Sequence, residues 1–419
     1  MMKKTLLTII GMAFMLNAFS QVIIEPASKP VEVKWSGFLM NNIFYDSRKN
    51  VDALDGLLVL FPMPQDTVNA RGNDLNDVSN LNFVSFAARL RSAISGPDAL
   101  GASTSGLIEF DFTSRGTSSG AVRFRHAWVK LNWATTELLV GRAWHPMVSP
   151  EVAPSVNSLN WGAPFQPFNR SDQITLTQKL NQFTLSGSLL FQNDYALNGP
   201  KGKSFLYQTN SLIPNMHAQI RYKSAYLLTG VGVDFKRILP ETHITSPTTG
   251  IIHSTNEGFN SLAFLGYAKY NKGKLSISSK SILANNISES MMAGAFGMSS
   301  IDPVTGDKSY TPYKHWFLWS NVMYGSDFKA GIFGGYFKNL GAGKNLVPGS
   351  PIYGLGENIA SMYRITPMIS YTSGKIMVAA ENEYNVAYYG SIDHANKGRI
   401  INTVKTEGMR ILVTMYYFF

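Results

Sequence analysis

The amino-acid sequence predicts an all-β fold: a transmembrane antiparallel β-barrel of about sixteen strands, with short periplasmic turns and long extracellular loops. Three observations predict it. Apolar and polar side chains alternate over stretches of strand length. The connections between these stretches are alternately short and long, and the final stretch ends on an aromatic residue. Strands of about 9 to 11 residues are long enough to cross a bilayer in such a barrel.

The first twenty residues are typical of a secretory signal peptide. Two lysines precede an apolar run, and Ala18-Phe19-Ser20 supplies small residues at the spacing that signal peptidase requires. A single transmembrane anchor is the alternative, but it needs about 20 apolar residues and this run is shorter. We expect cleavage after Ser20, a short periplasmic segment over residues 21–31, and one barrel domain over residues 32–419 in the cell outer membrane.

Composition agrees with an exported barrel and excludes several other classes of protein. A mean hydropathy of −0.03 and 12% aromatic residues suit strands that are apolar only at alternate positions. The absence of cysteine excludes disulfides, thiolate metal sites and thiol nucleophiles. No apolar run after the signal reaches about 18 residues, which argues against helical spans. The net charge of +10 is interpreted as pore charge rather than nucleic-acid binding, because an exported chain rarely meets nucleic acid.

Sixteen stretches have the length of a membrane-spanning strand. In residues 375–388, for example, apolar Val378 and Ala380 alternate with Glu381 and Glu383, which gives one face for lipid and one for water. The predicted strands are 32–46, 81–95, 105–113, 121–133, 136–145, 171–180, 182–192, 212–223, 225–236, 259–270, 273–283, 313–325, 328–339, 359–371, 375–388 and 404–419.

The connections alternate in length along the whole chain, as barrels of this kind require. Those after even-numbered strands are short, apart from "SGPDALGAST", and the alternation predicts an even number of strands. Those after odd-numbered strands are long, with only 114–120 brief. The predicted long loops are 47–80, 146–170, 193–211, 237–258, 284–312, 340–358 and 389–403.

The last stretch, "MRILVTMYYFF", ends in the middle of a strand pattern. One face is apolar and aromatic and includes Tyr417 and Phe419, while Arg410 and Thr414 lie on the other. In a closed barrel the last strand pairs with the first, so no edge is left free. The aromatic ending also resembles the signal by which barrel assembly machinery recognises its substrates. A soluble β-sandwich is the alternative, but it explains neither the signal peptide nor the alternation of loop lengths.

Four consecutive strands carry a recognisable order of motifs. An arginine-bearing strand is followed by an acidic strand, an R-x-R-H-A-aromatic strand and an LLVG-x-x-W strand, and "FNRSDQITL" comes later. This order resembles the amino-terminal half of the dicarboxylate-type (DcaP-like) porins, most clearly over residues 83–180. The residues that carry the resemblance are Arg89, Arg91, Glu109, Asp111, Arg123–Trp128, Leu138–Trp144 and the motif beginning at Phe168.

The resemblance implies a trimer of sixteen-stranded barrels that passes small anionic solutes. It implies outer-membrane lipid, small-molecule solutes and the barrel assembly machinery as partners, with no cofactor and no nucleic acid. Some members carry a coiled-coil stalk before the barrel, whereas only residues 21–31 precede the first strand here, so trimerisation through a stalk is in doubt. The "AFSQ" and "YYFF" segments resemble those of Bacteroidetes-type proteins.

Charged residues spaced i, i+2 on neighbouring strands are the candidate pore lining. Opposed basic and acidic rows orient anionic solutes in a narrow pore; alternatively they neutralise each other across strands and stabilise the wall by about 0.2–1 kcal/mol per pair. Because arginines outnumber acids, we expect a mild preference for anions. The predicted pore-lining residues are Arg89, Arg91, Glu109, Asp111, Arg123, Arg125, Arg170, Lys375, Glu381 and Glu383.

Two loops are singled out. By resemblance to general porins, the Pro-rich connection at about 145–170 is expected to fold into the barrel as a constriction, with Glu151, Asn157 and Asn160 lining it; an ordinary surface loop is the alternative. The apolar run Leu57–Phe61 in the first loop is expected to be exposed and to pack on a neighbouring loop or subunit.

Enzymatic and metal sites are not indicated. Outer-membrane hydrolases need a histidine beside a serine or aspartate, and the sequence has no HExxH motif. "GAGKN" lacks the spacing of a phosphate-binding loop. The prediction is therefore a porin, with two alternatives: a surface receptor or adhesin that acts through its long loops, and a barrel lipid hydrolase. The seven scattered histidines are His126, His145, His217, His243, His253, His315 and His394.

Overall fold

The computed structural model describes residues 29–54, 56–66, 72–113 and 122–419. The predicted signal peptide, residues 1–20, lies outside the described residues, as does most of the second long connection. None of the helices in the described part of the chain is long and apolar enough to cross a membrane.

Sixteen antiparallel strands form one closed sheet, in which each strand pairs with its neighbours in the chain. The predicted fold class and strand number are confirmed. The strands are β1 Glu32–Asp46, β2 Asn80–Ser95, β3 Ser103–Asp111, β4 Arg123–Asn132, β5 Thr136–Trp144, β6 Arg170–Leu180, β7 Phe183–Gln192, β8 Asn215–Lys223, β9 Leu227–Ile238, β10 Phe259–Lys272, β11 Leu275–Asn285, β12 Lys308–Gly325, β13 Phe328–Ala342, β14 Ile359–Ser373, β15 Ile376–Asp393 and β16 Arg399–Phe418.

The barrel closes between β1 and β16. Their register runs from Phe38 opposite Phe418 to Asp46 opposite Arg410, and β1 pairs with β2 on its other side. The backbone N–H of Phe419 donates to Gly37 at 3.2 Å, and the Gly37 N–H donates back at 3.1 Å. Every strand therefore has two neighbours, and the sheet has no free edge.

Side chains alternate between the two faces of the wall as the sequence pattern predicts. In β16 the outward Ile411, Val413 and Met415 are exposed, whereas the inward Arg410 and Thr414 are buried. Burial of polar groups inside and exposure of apolar groups outside is the reverse of a soluble protein. The outer surface thus matches hydrocarbon rather than water.

One strand departs from the predicted alternation. The sequence places Val84 on the face opposite Arg89, but both point inward in β2. The cause is a β-bulge: the three residues of β1 from Met40 to Asn42 lie opposite four residues of β2, from Ala87 back to Val84. An extra residue in one strand exchanges the faces of everything beyond it.

Connections are short at one end of the barrel and long at the other. The short turns have two to seven residues, whereas the long-loop end carries L1 (47–79), L2 (112–122), L3 (145–169), L4 (193–214), L5 (239–258), L6 (286–307), L7 (343–358) and L8 (394–398). The prediction of a long last loop, 389–403, is wrong, because β15 and β16 stay paired as far as Asp393 and Arg399. Gly398, with φ +61°, lies in the tight turn that joins their outer ends.

Several long loops have structure of their own. Short strands pair within L1, L4 and L5, and a strand of L6 pairs with both β12 and a strand of L7. These elements are the strands Asn50–Ala53, Leu58–Pro62, Leu197–Gly199, Gly202–Ser204, His243–Thr245, Ile252–Ser254, Gly294–Ile301 and Ile352–Leu355, the 3-10 helices Pro146–Val148, Ser288–Ser290 and His394–Asn396, and the helical turn Leu206–Thr209.

The interior of the barrel is filled on one side by apolar packing. L1, L3 and L6 fold inward and join a cluster of apolar side chains from β10 to β15. The expectation that Leu57–Phe61 is exposed is wrong: Leu58 and Val59 are fully buried, and Leu58 belongs to the same apolar cluster as Phe165 of L3. The wall residues of the cluster include Leu265, Ile282, Phe317, Trp319, Phe333, Phe337, Met362 and Met368.

Candidate functional site

The side of the lumen formed by β2 to β8 is polar and charged. The register places Arg89 opposite Asp111 and Arg91 opposite Glu109, and it places Asp111 opposite Arg123 in the next strand. Because residues two apart share a face, the rows of charge predicted from the i, i+2 spacing do meet across the strands.

Both acidic residues are held by the arginines of β4. Arg125 donates to Glu109 at 2.7 Å and to Asp111 at 2.8 Å, and Arg123 forms two hydrogen bonds with Asp111, at 2.9 and 3.1 Å. Glu109, Asp111 and Arg125 are buried. Hydrogen bonds between ionised groups are the strong ones in proteins, so this part of the wall is rigid.

The arginines of β2 are held less tightly than those of β4. Arg89 lies 3.7 Å from Glu109, its Nε has no hydrogen-bond partner, and its guanidinium lies 4.8 Å from the centre of the Phe38 ring. Arg91 is exposed and forms no ion pair with any described residue. Two acids therefore neutralise the two arginines of β4, and the charges of Arg89 and Arg91 remain in excess.

These arginines line a cavity of about 350 Å³ between the wall and L3. Asn157 and Trp161 of L3 lie on one side of it, and Arg89, Arg91 and Arg125 contribute to the other. A second cavity of about 630 Å³ lies towards the short turns and shares Arg91, Glu109 and Trp144 with the first. The second cavity is also lined by Lys130, Glu137, Glu151, Gln173, Thr175, Thr177 and Arg221.

Two carboxylates of β15 hold L3 in place. Glu381 accepts hydrogen bonds from the backbone N–H groups of Asn157, at 2.6 Å, and Ser158, at 2.9 Å. Glu383 accepts one from the Asn160 side chain at 2.6 Å. The structure thus brings together four residues that the sequence singles out, but Glu381 and Glu383 are covered by L3 and line neither cavity.

Arg364 of β14, which sequence reasoning missed, joins two loops to the wall. Its guanidinium donates to the carbonyl of Ala163 in L3 at 2.8 Å, and to those of Val59 and Leu60 in L1 at 2.9 and 3.0 Å. Lys280 of β11 acts similarly on the carbonyls at the start of L3. The only sequence signal for either residue is a single positive charge on the inward face of an otherwise apolar or neutral strand.

Three other predicted site residues lie elsewhere. Arg170 is fully buried, donates to Asp194 of L4 at 2.9 Å and stacks on Trp144 at 4.1 Å. Glu151 lines the second cavity and pairs with Arg221. Lys375 lies in the exposed two-residue turn between β14 and β15, where the preceding Gly374 has φ +58°. Lys375 therefore lines neither cavity.

A buried histidine pair is a further feature that the sequence pattern did not reveal. His145 at the start of L3 and His217 of β8 lie 3.5 and 3.3 Å from the same carboxylate, that of Asp234. Within the described ranges, no group of three or more His, Asp or Glu side chains is arranged to hold a metal ion. The cluster instead fixes the first residue of L3 to the wall.

Comparison with known proteins shows the fold. No family model matches the chain, and no curated protein matches it in sequence. The outer-membrane channel DcaP of Acinetobacter baumannii has a similar structure: TM-score 0.65 at 13% identity, covering 93% of this chain and 98% of the other. OmpT of Vibrio cholerae is similar with a TM-score of 0.55 at 11% identity, and the match covers 94% of this chain and 99% of OmpT. OmpF of Salmonella typhi, in complex with daunomycin, is similar with a TM-score of 0.53 at 11% identity, and the match covers 92% of this chain and 97% of OmpF. The barrel is of the porin type, and its resemblance to DcaP is supported.

Proposed function

We propose that the protein is an outer-membrane porin that allows passive diffusion of small hydrophilic solutes and favours anions. The cavity lined by Arg89, Arg91 and Arg125 beside L3 is the observation that carries this proposal. The apolar outer face and the signal-like segment 1–20 support an outer-membrane location. L3 serves as the constriction, and Tyr417 and Phe419, exposed at the end of β16, serve as the assembly signal.

Dicarboxylate-like solutes fit the spacing of the free charges. Arg89 and Arg91 are two residues apart on one face of β2, which separates their Cα atoms by about 7 Å. Each guanidinium can bind one carboxylate through paired N–H donors. The opposite side of the lumen is closed by the apolar cluster, so a solute on its way through passes these arginines.

We also propose a homotrimer. One of the similar structures is a trimer form of in-vitro folded OmpT from Vibrio cholerae, with a TM-score of 0.54 at 11% identity. Light scattering of the detergent-solubilised protein would show a mass of three chains, whereas a monomer mass would contradict this assembly.

Reversal potentials in a planar bilayer with a salt gradient test the proposed selectivity. The wild type is expected to favour chloride over potassium, and the Arg89→Ala/Arg91→Ala double variant to lose most of that preference. Lys375→Ala removes a positive charge that lies in a turn away from both cavities, so it is the matched control and should change nothing. Cation selectivity of the wild type would overturn the proposal.

A surface receptor or adhesin is the second candidate, and the packed interior favours it. L1, L3 and L6 all fold into the lumen, which narrows the space left for water. Single-channel recording separates the two functions: stable conductance steps support the porin, whereas a correctly inserted but silent protein supports the receptor.

A further inference from the structure

The outer face of β6 to β10 carries a groove cut by small residues. The register aligns Leu176, Gly187, Ala218, Val233 and Phe264 in one row across five strands. A Cβ atom at Gly187 would have no neighbour within 4 Å, so the wall is open at this point. The groove has a volume of about 900 Å³, and exposed apolar side chains of the same face flank it.

The groove continues towards the short turns. The next row pairs Val231 with Gly266, and the row after it pairs Thr229 with Ala268, so small side chains follow Phe264 on β10 as far as the row of Leu227 and Tyr270. Lys272 lies on the same face of β10, eight residues beyond Phe264, which is about 27 Å along the strand. This is the length scale of an extended lipid molecule rather than of a small solute.

Positive charge is concentrated where the groove ends. The three turns below it, 179–183, 223–227 and 271–275, contain Lys179, Lys223, Lys272 and Lys274 and no acidic residue. All four lysines are exposed, and none forms an ion pair within the part of the chain that the structure describes. Lys272 lies 5.7 Å from the centre of the Tyr226 ring.

Two other turns at the same end of the barrel balance their charges. Asp98 of the first turn pairs with Lys29 at 3.1 Å, and the turn before β13 contains Asp327 close in sequence to Lys329. The turn before β15 contains Lys375 and no acidic residue, but this is a single charge, whereas the three adjacent turns beneath the groove bring four unpaired lysines together. This excess of positive charge calls for a negative partner that also has an apolar part.

We propose that this surface is a binding site for one anionic phospholipid of the periplasmic leaflet. An acyl chain lies in the groove over Gly187 and Ala218, and the phosphate lies beside Lys272 and Lys274. The inference rests on the proposed function, because it requires the barrel to sit in a membrane. Charge complementarity selects the occupant: each lysine near a lipid surface contributes about 1 kcal/mol to binding of anionic lipid.

Native mass spectrometry of the full chain, extracted from vesicles of equal phosphatidylglycerol and phosphatidylcholine, tests the proposal. The wild type should retain phosphatidylglycerol in preference to phosphatidylcholine. Lys272→Gln/Lys274→Gln should weaken that preference by about fivefold for each lysine removed. Gly187→Leu/Ala218→Leu fills the groove and should abolish retention of either lipid.

Matched controls keep the outcome clear. Gly334→Leu also adds an outward side chain at a glycine with no neighbour within 4 Å, and Lys329→Gln removes a lysine beside a different turn. Both should bind lipid like the wild type. The proposal would be overturned if the control variants lost as much bound phosphatidylglycerol as the test variants, or if filling the groove left lipid retention unchanged. A change of oligomer size with Gly187→Leu/Ala218→Leu would also overturn it and make this face a subunit contact.

Conductance measured on the same samples separates the two proposals. A wild-type protein that conducts and prefers anions but retains both lipids equally refutes the lipid site alone. A protein that does not insert into vesicles refutes the proposed function itself.

Discussion

Single charged side chains inside the barrel decide where the loops lie. Arg364 is fully buried and satisfies carbonyl groups of two loops at once, and its nearest acid, Glu383, is 3.8 Å away. A buried guanidinium is costly to desolvate, so it persists only with such a complete set of partners. The loops and the arginine therefore depend on each other.

Replacing Arg364 with methionine should destabilise the folded barrel. The substitution leaves three loop carbonyls without a donor and removes the positive charge beside Glu383, and breaking a buried ion pair costs about 3–5 kcal/mol. Heat-induced loss of the compact form on electrophoresis measures this as a lower transition temperature. Arg91→Met, at an exposed arginine, is the control, and an equal loss in both variants would contradict the assigned role.

Glu381→Gln should loosen the tip of L3 with little effect on the barrel itself. The Glu381 side chain accepts two backbone N–H groups through its two oxygens, whereas glutamine has one acceptor oxygen, so one of these N–H groups loses its partner. Increased open-channel noise with an unchanged unfolding temperature is the expected result. Glu137→Gln, which alters a partly exposed pair with Lys130, should leave the noise as in the wild type.

The sequence predicted which charges share a face but not which of them a loop would cover. Arg89, Arg91, Glu109 and Asp111 could be grouped because period-2 alternation is local information. The roles of Arg364, Lys280 and Asp234 depend on loops that are distant in the chain and fold back onto them. No local pattern records such contacts.

At the scale of elements, L1 and L3 both pack inside the barrel and together fill part of the lumen. The hairpin of L1 lies against β15 and β16: Tyr389 donates to the Pro62 carbonyl at 2.7 Å and Arg410 to that of Gly56 at 2.6 Å. Its strand Leu58–Pro62 is buried throughout. L1 therefore belongs to the interior as much as L3 does.

Replacing residues 50–62 by a short Gly-Ser linker should raise the single-channel conductance. Removing the hairpin opens space beside β15 and β16 that water can enter, because several buried apolar side chains leave with it. Shortening the hairpin of L5, between His243 and Ser254, is the control and should leave conductance unchanged. An unaltered conductance without the L1 hairpin would show that this space stays closed.

The elements themselves were largely predictable, and the exceptions have physical reasons. All sixteen strands follow from alternation, but the bulge in β2 exchanges its faces, and the outer ends of β15 and β16 extend past the predicted loop boundary. The L6 strand Gly294–Ile301, which pairs with β12 and with a strand of L7, was missed because residues 294–298 are all buried and show no alternation. Pairing between loops leaves no periodic trace in either of them.

For the whole molecule, the free charges of one wall set the electrostatic behaviour. Arg91 is exposed to water in the lumen, so dissolved salt screens it. The Debye length falls from about 10 Å at 0.1 M to about 3 Å at 1 M salt. Anion preference measured by reversal potential should accordingly decline over this range, and a preference that does not depend on salt would contradict an open, water-filled path past Arg91.

The one-sided packing of the interior makes the water column eccentric. Arg364, Lys280, Glu381 and Glu383 all point towards the barrel axis, but folded loops cover them, so in the proposed porin a permeating ion would not reach them. The number of inward-facing charges is therefore a poor guide to the electrostatic potential along the proposed pore. Mutations of these four covered residues should lower the refolding yield but leave permeability ratios nearly unchanged. Mutations of the charged residues of β2 to β8 should change permeability ratios but have little effect on the refolding yield.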